Sequence, residues 1–298
     1  MVAVFKQTDA LRFRTPLVPC QRIPMDTDFL ADVIPPRYAV ESDEEDEENP
    51  LLPPAAQANR VVDVKIAGDY PTEKPMLLAI GLAAQTWAKG VGLGEVKASI
   101  VLNGIQVGFA FSPSWTKATV VVSEATIRIP TWAMYAYAEA VIAALKPTSI
   151  VILDTYSAPQ YIDAHPISAA DAPIRYLSTD AWSPVGRGAS PFAPPNVLQA
   201  TSAAFMLISA LSSSAATLLL LPSPYSMLPP ASELSSLGLS REIDWPTATM
   251  AAAHEWLLQA LGEQASSKWD RNSSRISARA PWLTLKRDEP PPDSGMYL

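Results

Sequence analysis

Apolar and polar positions change their rhythm at about residue 60. Before it, apolar residues are scattered without a period, prolines recur and an acidic run sits at 41–48. Residues 1–58 therefore read as an extended or disordered leader, because packed like charges repel and hold a segment open. From Arg60 the pattern is strand-like. Val62, Val64 and Ile66 alternate with Asp63 and Lys65, as in a half-buried strand. Residues 76–82 are a continuous apolar run and predict a central strand. Residues 99–102 and 105–111 flank Asn103-Gly104, a pair that predicts a tight hairpin because both residues tolerate positive φ. A further strand is predicted at 118–122. Thr131 can cap a helix to about Leu145, stopped by Lys146-Pro147.

Residues 149–153 predict another buried strand, ending in Asp154-Thr155-Tyr156. A short strand at 174–177 follows a loop. A Pro/Gly-rich connector at 182–195 precedes a helix at 196–211, and a strand at 217–221 leads into a proline-rich loop at 222–230. The last helix spans 246–261, with Asp244 or a neighbour near its cap and Gly262 closing it. Buried strands alternating with helices predict an α/β sandwich with a largely parallel sheet plus an antiparallel hairpin. The folded block is 59–262, and 263–298 is a flexible polar tail.

Residues 203–221 carry no charge, close to the minimum length for a membrane span. Ser209, Ser212, Ser213 and Ser214 interrupt the stretch and Pro222 ends it. A buried helix to about Leu211, a serine turn and a strand at 217–221 fit better than a membrane segment.

Charge narrows the choice of partner. The chain has 298 residues and a formal net charge of −8, from 30 acids against 22 bases. Residues 41–48 hold seven acids and no base, so the remainder has 30 − 7 = 23 acids against 22 bases. A near-neutral body offers no Lys/Arg surplus for a phosphate backbone, which argues against nucleic acid. Ser42 precedes Asp43-Glu44-Glu45, a context suited to acidophilic kinases. Cys20 is the single cysteine, so neither an intrachain disulfide nor a cysteine-rich zinc site is available. The first residues lack a basic region followed by a long apolar one, so the expected location is the cytosol, with the nucleus as a second possibility.

Catalytic chemistry is thinly represented. His165 and His254 are the two histidines, without HxxxH spacing, and no G-x-S-x-G elbow places a serine nucleophile. No catalytic residue, metal ligand or cofactor site is assigned. Gly90-Val91-Gly92-Leu93-Gly94 does not join a strand to a helix, and Glu95 beside it would repel phosphate. It reads as a turn after a helix containing Trp87. There is no P-loop. Asp154-Thr155, at the end of the strongest strand, is the place where an α/β enzyme would collect a ligand, although a lone carboxylate there is more often a cap or loop tie.

The chain closes on Asp288-Glu289-Pro290-Pro291-Pro292, then Met296-Tyr297-Leu298, a hydrophobic–Tyr–any-residue (HbYX-type) pattern. Three prolines favour polyproline II geometry, which stiffens the approach. Such a peptide can seat an apolar side chain and a ring in a groove. The acidic leader ESDEEDEENP, the run Ile150-Val151-Ile152-Leu153-Asp154-Thr155-Tyr156 and Met296-Tyr297-Leu298 together resemble the fungal form of the proteasome assembly chaperone 1 family. The resemblance implies a three-layer, phosphorylase-like α/β fold and a non-enzymatic chaperone. It also implies pairing with proteasome assembly chaperone 2 and binding to the α ring of the 20S core particle. There the pair would promote assembly and block premature regulator binding. Met296 would fill the apolar part of an inter-subunit pocket, Tyr297 would pack on its wall, and the Leu298 carboxylate would pair with a lysine. The alternatives are a hydrolase or phosphorylase-like enzyme using Asp154, or a non-ATPase proteasome activator subunit.

Overall fold

The computed structural model describes residues 61–163, 167–184, 188–229, 231–237, 243–264 and 267–271. The acidic run, Cys20, Ser42, His165 and Met296-Tyr297-Leu298 lie outside the described residues. In chain order the elements are β1 (Val64–Gly68), β2 (Met76–Ile80), α1 (Gly81–Lys89), β3 (Val96–Leu102), β4 (Ile105–Phe111), β5 (Thr119–Ser123) and β6 (Ile127–Arg128). Then come α2 (Thr131–Leu145), β7 (Ile150–Ser157), β8 (Ile174–Ser178), β9 (Ala189–Pro191), α3 (Thr201–Leu211), β10 (Ala216–Ser223), β11 (Ser235–Ser236) and α4 (Thr247–Ala260).

The main sheet runs β1-β3-β4-β5-β2-β7-β10-β8-β9, and β6 pairs with β11 apart from it. Its centre is parallel, with β2 between β5 and β7 and with β10 beside β7. Antiparallel strands extend both flanks, among them the expected β3–β4 hairpin through Asn103 and Gly104, both at positive φ. The result is an α/β sandwich with the sheet as its middle layer.

Alternation along the central strands explains the layers. Leu77, Ala79, Val151, Leu153, Leu219 and Leu221 face one core with Trp87 of α1 and Met250, Trp256 and Leu257 of α4. Met76, Leu78, Ile150, Ile152, Leu218 and Leu220 face the other, against Tyr137 of α2 and Phe205 of α3. A strand covered on both sides needs apolar residues at every position, so β2 is buried throughout. Each fully buried Leu or Ile contributes about 1.5–3 kcal/mol relative to exposure.

Several boundaries differ from the sequence reading. The run at 76–82 stops being a strand at Ile80, because Gly81, at φ +59, turns the chain directly into α1. Thr131 is the first helical residue of α2 and Pro130 occupies the cap position. Lys146 closes α2 in the left-handed conformation, its N–H donating to the Ile142 carbonyl, a common helix ending. Helix α3 begins at Thr201 rather than near residue 196, because Asn196 ties down a loop instead. Its Oδ1 accepts the Ile162 N–H, and its Nδ2 donates to the Ile162 and Ala193 carbonyls. The uncharged stretch at 203–221 divides into α3, a serine turn and β10 as expected, and no described helix is long and apolar enough to cross a membrane.

Candidate functional site at the carboxyl ends of the parallel strands

Strand β2 leads by way of α1 and the antiparallel β3–β4 pair to β5 on one side, whereas β5 leads by way of α2 across β2 to β7 on the other. Helices α1 and α2 lie on opposite faces of the sheet. Where the winding reverses, neighbouring connections diverge and leave a crevice at the carboxyl ends of the strands. A cavity of about 180 Å³ occupies that position. Ile80 and Gly81, Glu124, Asp154 with Ser157, Thr201 and Ser223 line it, placing the ends of β2, β5, β7 and β10 and the start of α3 around one space.

Asp154 was expected at the end of its strand. It is instead inside β7, which continues to Ser157 because β10 pairs with it as far as Ser223. Its Oδ1 accepts the Thr155 N–H at 2.7 Å and its Oδ2 accepts the Ser202 hydroxyl at 2.6 Å. Burial pushes its pKa up to about 6, against the lowering effect of those two hydrogen bonds.

Glu124 is the residue that sequence reasoning missed. It follows β5 directly, with φ +53, an uncommon conformation for a residue with a side chain. Its N–H donates to the Val107 carbonyl, and its Oε2 accepts the Ile129 N–H at 2.9 Å. Burial raises its pKa to about 7, and the Asp154 charge adds to the rise. The Ile129 and Thr201 groups and the Arg128 charge pull it down. Thr201 lies close enough to influence Glu124, yet neither Glu124 Oε1 nor Thr201 Oγ1 completes a hydrogen bond of normal geometry; Ser157 Oγ is in the same position. Buried polar atoms without a partner are uncommon in folded proteins and call for an explanation. A weaker signal was present in the sequence: Glu124 follows the buried run Val120-Val121-Val122 after one serine, whereas Asp154 follows Val151-Ile152-Leu153 without a break.

Of the expected proline-rich 222–230 loop, residues 222 and 223 belong to β10 and residues 224–229 form the outer wall. Tyr225, Met227 and Leu228 line the cavity. The loop is held by Arg128 Nη2, which donates to the Pro229 carbonyl at 2.8 Å, and by the Met227 N–H, which donates to Gln160 Oε1 at 2.8 Å.

The other sequence candidates lie elsewhere. His254 is fully buried on the α4 side, where Trp87 Nε1 donates to its Nδ1 at 3.4 Å and its Nε2 meets Ser267 Oγ at 2.9 Å. Burial lowers its pKa to about 4, so it is a neutral packing residue near neutral pH. The glycine-rich 90–94 segment is a turn after α1, as expected. A Cβ on Gly90 would fall within the indole of Trp269, and Trp115 Nε1 donates to the Gly92 carbonyl at 2.8 Å. Beyond Asp154, Tyr156 donates its hydroxyl to the Pro173 carbonyl, while Arg175 stacks on Tyr161 and pairs with Asp163. This cluster fastens the loop between β7 and β8. Among the described residues no group of three or more His, Cys, Asp or Glu side chains is arranged to hold a metal.

No protein-family model matches the sequence, and no curated protein matches it. Solved structures with a similar chain path include PbaB of Pyrococcus furiosus, an archaeal proteasome activator. It is 10% identical with a TM-score of 0.46, over 72% of this chain and 93% of that one. PbaA of the same organism, an archaeal homolog of proteasome-assembly chaperone, is 9% identical with a TM-score of 0.43, over 68% and 88%. A Thermoplasma acidophilum protein with unknown function is 9% identical with a TM-score of 0.44, over 66% and 80%.

Proposed function

We propose that the protein is a proteasome assembly chaperone that acts through protein–protein contacts and not as an enzyme. In this reading it pairs with proteasome assembly chaperone 2, binds the 20S α subunits, and works in the cytosol or nucleus. The observation that carries the reading is in the sequence: an acidic ESDEEDEENP leader, an α/β block of near-neutral charge and the tripeptide Met296-Tyr297-Leu298. A neutral body meets its partners by shape and apolar contact rather than by long-range attraction. Met296 and Tyr297 supply the apolar side chain and the ring that a groove between two subunits can hold. With one such peptide from each member of a heterodimer, effective concentration rather than single-site affinity keeps the complex together.

The test is co-purification with α-ring subunits from cell extract. Tyr297→Ala, or removal of residues 296–298, is expected to reduce α-subunit recovery while heterodimer formation and thermal stability stay unchanged. Equal recovery with and without the tripeptide overturns its assigned role.

A second reading, a hydrolase or phosphorylase-like enzyme, draws on the convergence of Glu124 and Asp154 at the winding reversal. Two carboxyls of raised pKa are the type of pair that exchanges protons near neutral pH. Turnover of an ester, glycoside or nucleoside that is abolished by Asp154→Asn would favour it over the chaperone.

A further inference from the structure

We propose that the cavity between Glu124, Asp154, Ser157 and Thr201 is a binding site for a compact organic cation bearing two or more N–H donors, of the amidine or guanidine class. The inference is independent of the tail and of any proteasome partner.

The first argument is the set of atoms left over. Asp154 uses both oxygens, on Thr155 and Ser202, and Glu124 uses Oε2 on Ile129. Glu124 Oε1 remains as an acceptor without a partner in a residue 7% exposed. Thr201 Oγ1 and Ser157 Oγ, in residues 1% and 6% exposed, are also unpartnered and line the same space. Glu124 Oε1 and Thr201 Oγ1 lie near each other without a hydrogen bond of normal geometry, and Ser157 Oγ on β7 has none, so three buried polar groups face one space, each costing about 1–3 kcal/mol when left unmet.

The second argument is charge. Glu124, Asp154 and Arg128 line the cavity, and Tyr137 stands behind Glu124 with its hydroxyl on Ser123. The Arg128 guanidinium donates to the Pro229 carbonyl and tethers the loop, and its charge is the smallest of the influences on Glu124. Asp154 accepts the Ser202 hydroxyl in the first turn of α3 and Glu124 accepts the Ile129 N–H two residues before α2, so both carboxyls sit beside helix starts without capping them. An added anion would meet two desolvated acids; an added cation would restore what burial removed.

Shape sets the size. A dry cavity of about 150 Å³ accommodates benzene, so one of about 180 Å³ takes a ring-sized body or a short guanidine. Ile80, Met134 and Leu228 supply apolar walls for that body. An amidine presents two N–H donors that can be shared between Glu124 Oε1 and the Thr201 or Ser157 hydroxyl, and a charge-assisted bond to the carboxylate is about twice as strong as a neutral one.

The experiment is calorimetric titration of the full chain with benzamidine, and with benzamide as a neutral isostere. The expected result is saturable one-to-one binding of benzamidine at about pH 8, with a Kd of about 1 mM or tighter. Benzamide is expected to bind at least roughly tenfold more weakly, as is benzamidine at about pH 5, where protons compete for the same oxygens. Glu124→Gln should weaken benzamidine roughly tenfold, and Thr201→Val, which keeps both carboxyls, should weaken it less. The proposal is overturned by the absence of saturable benzamidine binding, by equal affinity for benzamide, or by binding that is indifferent to both Glu124→Gln and pH. A benzamidine complex with the ligand elsewhere, and only ordered water on Glu124 Oε1, overturns it as well.

Discussion

Ser202 Oγ donates to Asp154 Oδ2 at 2.6 Å, fixing the first turn of α3 to the strand that carries the carboxyl. Both residues are buried, so the bond is made where water cannot replace it. A single hydroxyl thus couples the placement of a helix to the state of an acid in the crevice.

Ser202→Ala is expected to lower stability by about 2 kcal/mol, the range for a hydrogen bond to a charged or partly charged buried group. Urea denaturation with an unchanged m-value measures this directly. A change within experimental error would show that Asp154 does not rely on Ser202.

Stability is expected to fall as pH rises from about 4 to about 7 on account of Glu124 and Asp154. Both acids hold their protons in the folded protein to about pH 7 and 6, against ordinary values of 4.5 and 3.8. Unfolding therefore releases protons in that window; their stabilising contribution is complete below the ordinary values and lost as pH passes the folded ones. Each group contributes a slope of up to about 1.4 kcal/mol per pH unit. Glu124→Gln should flatten the decline between about pH 5 and 7. Denaturation midpoints recorded across that range decide the matter, and an identical slope in the variant rules this account out.

His254 acts in the opposite sense. Its pKa is lowered from 6.5 to about 4, so its contribution is fully present above 6.5 and lost as pH falls towards 4. In the overlap it cancels roughly one of the two carboxyl slopes. His254→Gln should steepen the net decline with rising pH below about 6.5 while costing about 1–3 kcal/mol near neutrality, through loss of the Trp87 and Ser267 partners. Thermal scans at matched pH values would reveal both effects, and a variant parallel to wild type would refute the assignment.

Gly90→Ala is expected to destabilise by about 1–3 kcal/mol, because a Cβ at this position intrudes on the Trp269 ring. Since Trp269 is 4% exposed, its displacement should shift tryptophan emission to the red. Unaltered emission and stability would mean that the ring moves aside freely.

The parts of the fold that depend on neighbouring residues were legible in the sequence. Asn103-Gly104 marked the β3–β4 hairpin, and the serines at 212–214 marked the break between α3 and β10. What depends on distant partners was not. Nothing in the run at 76–80 says that β5 and β7 will flank it, and the crevice exists only because they do. Asp154 stood out because four buried apolar residues precede it. Glu124 did not, because a serine intervenes and its role depends on a left-handed turn that brings the carboxyl back towards Ile129. The role of the 222–230 loop likewise required knowing that β10 ends beside β7.

Trp269 has a mechanical meaning for the proposed hook. Its indole donates to the Trp87 carbonyl at 3.0 Å, the Asp270 N–H donates to the Gly90 carbonyl, and Arg271 binds both Asp244 and the Trp245 carbonyl. The chain is therefore moored beside α1 and α4, and any pull exerted farther along arrives at that mooring before it reaches the sheet. A packing residue in the core is thus also the anchor of the segment at 267–271.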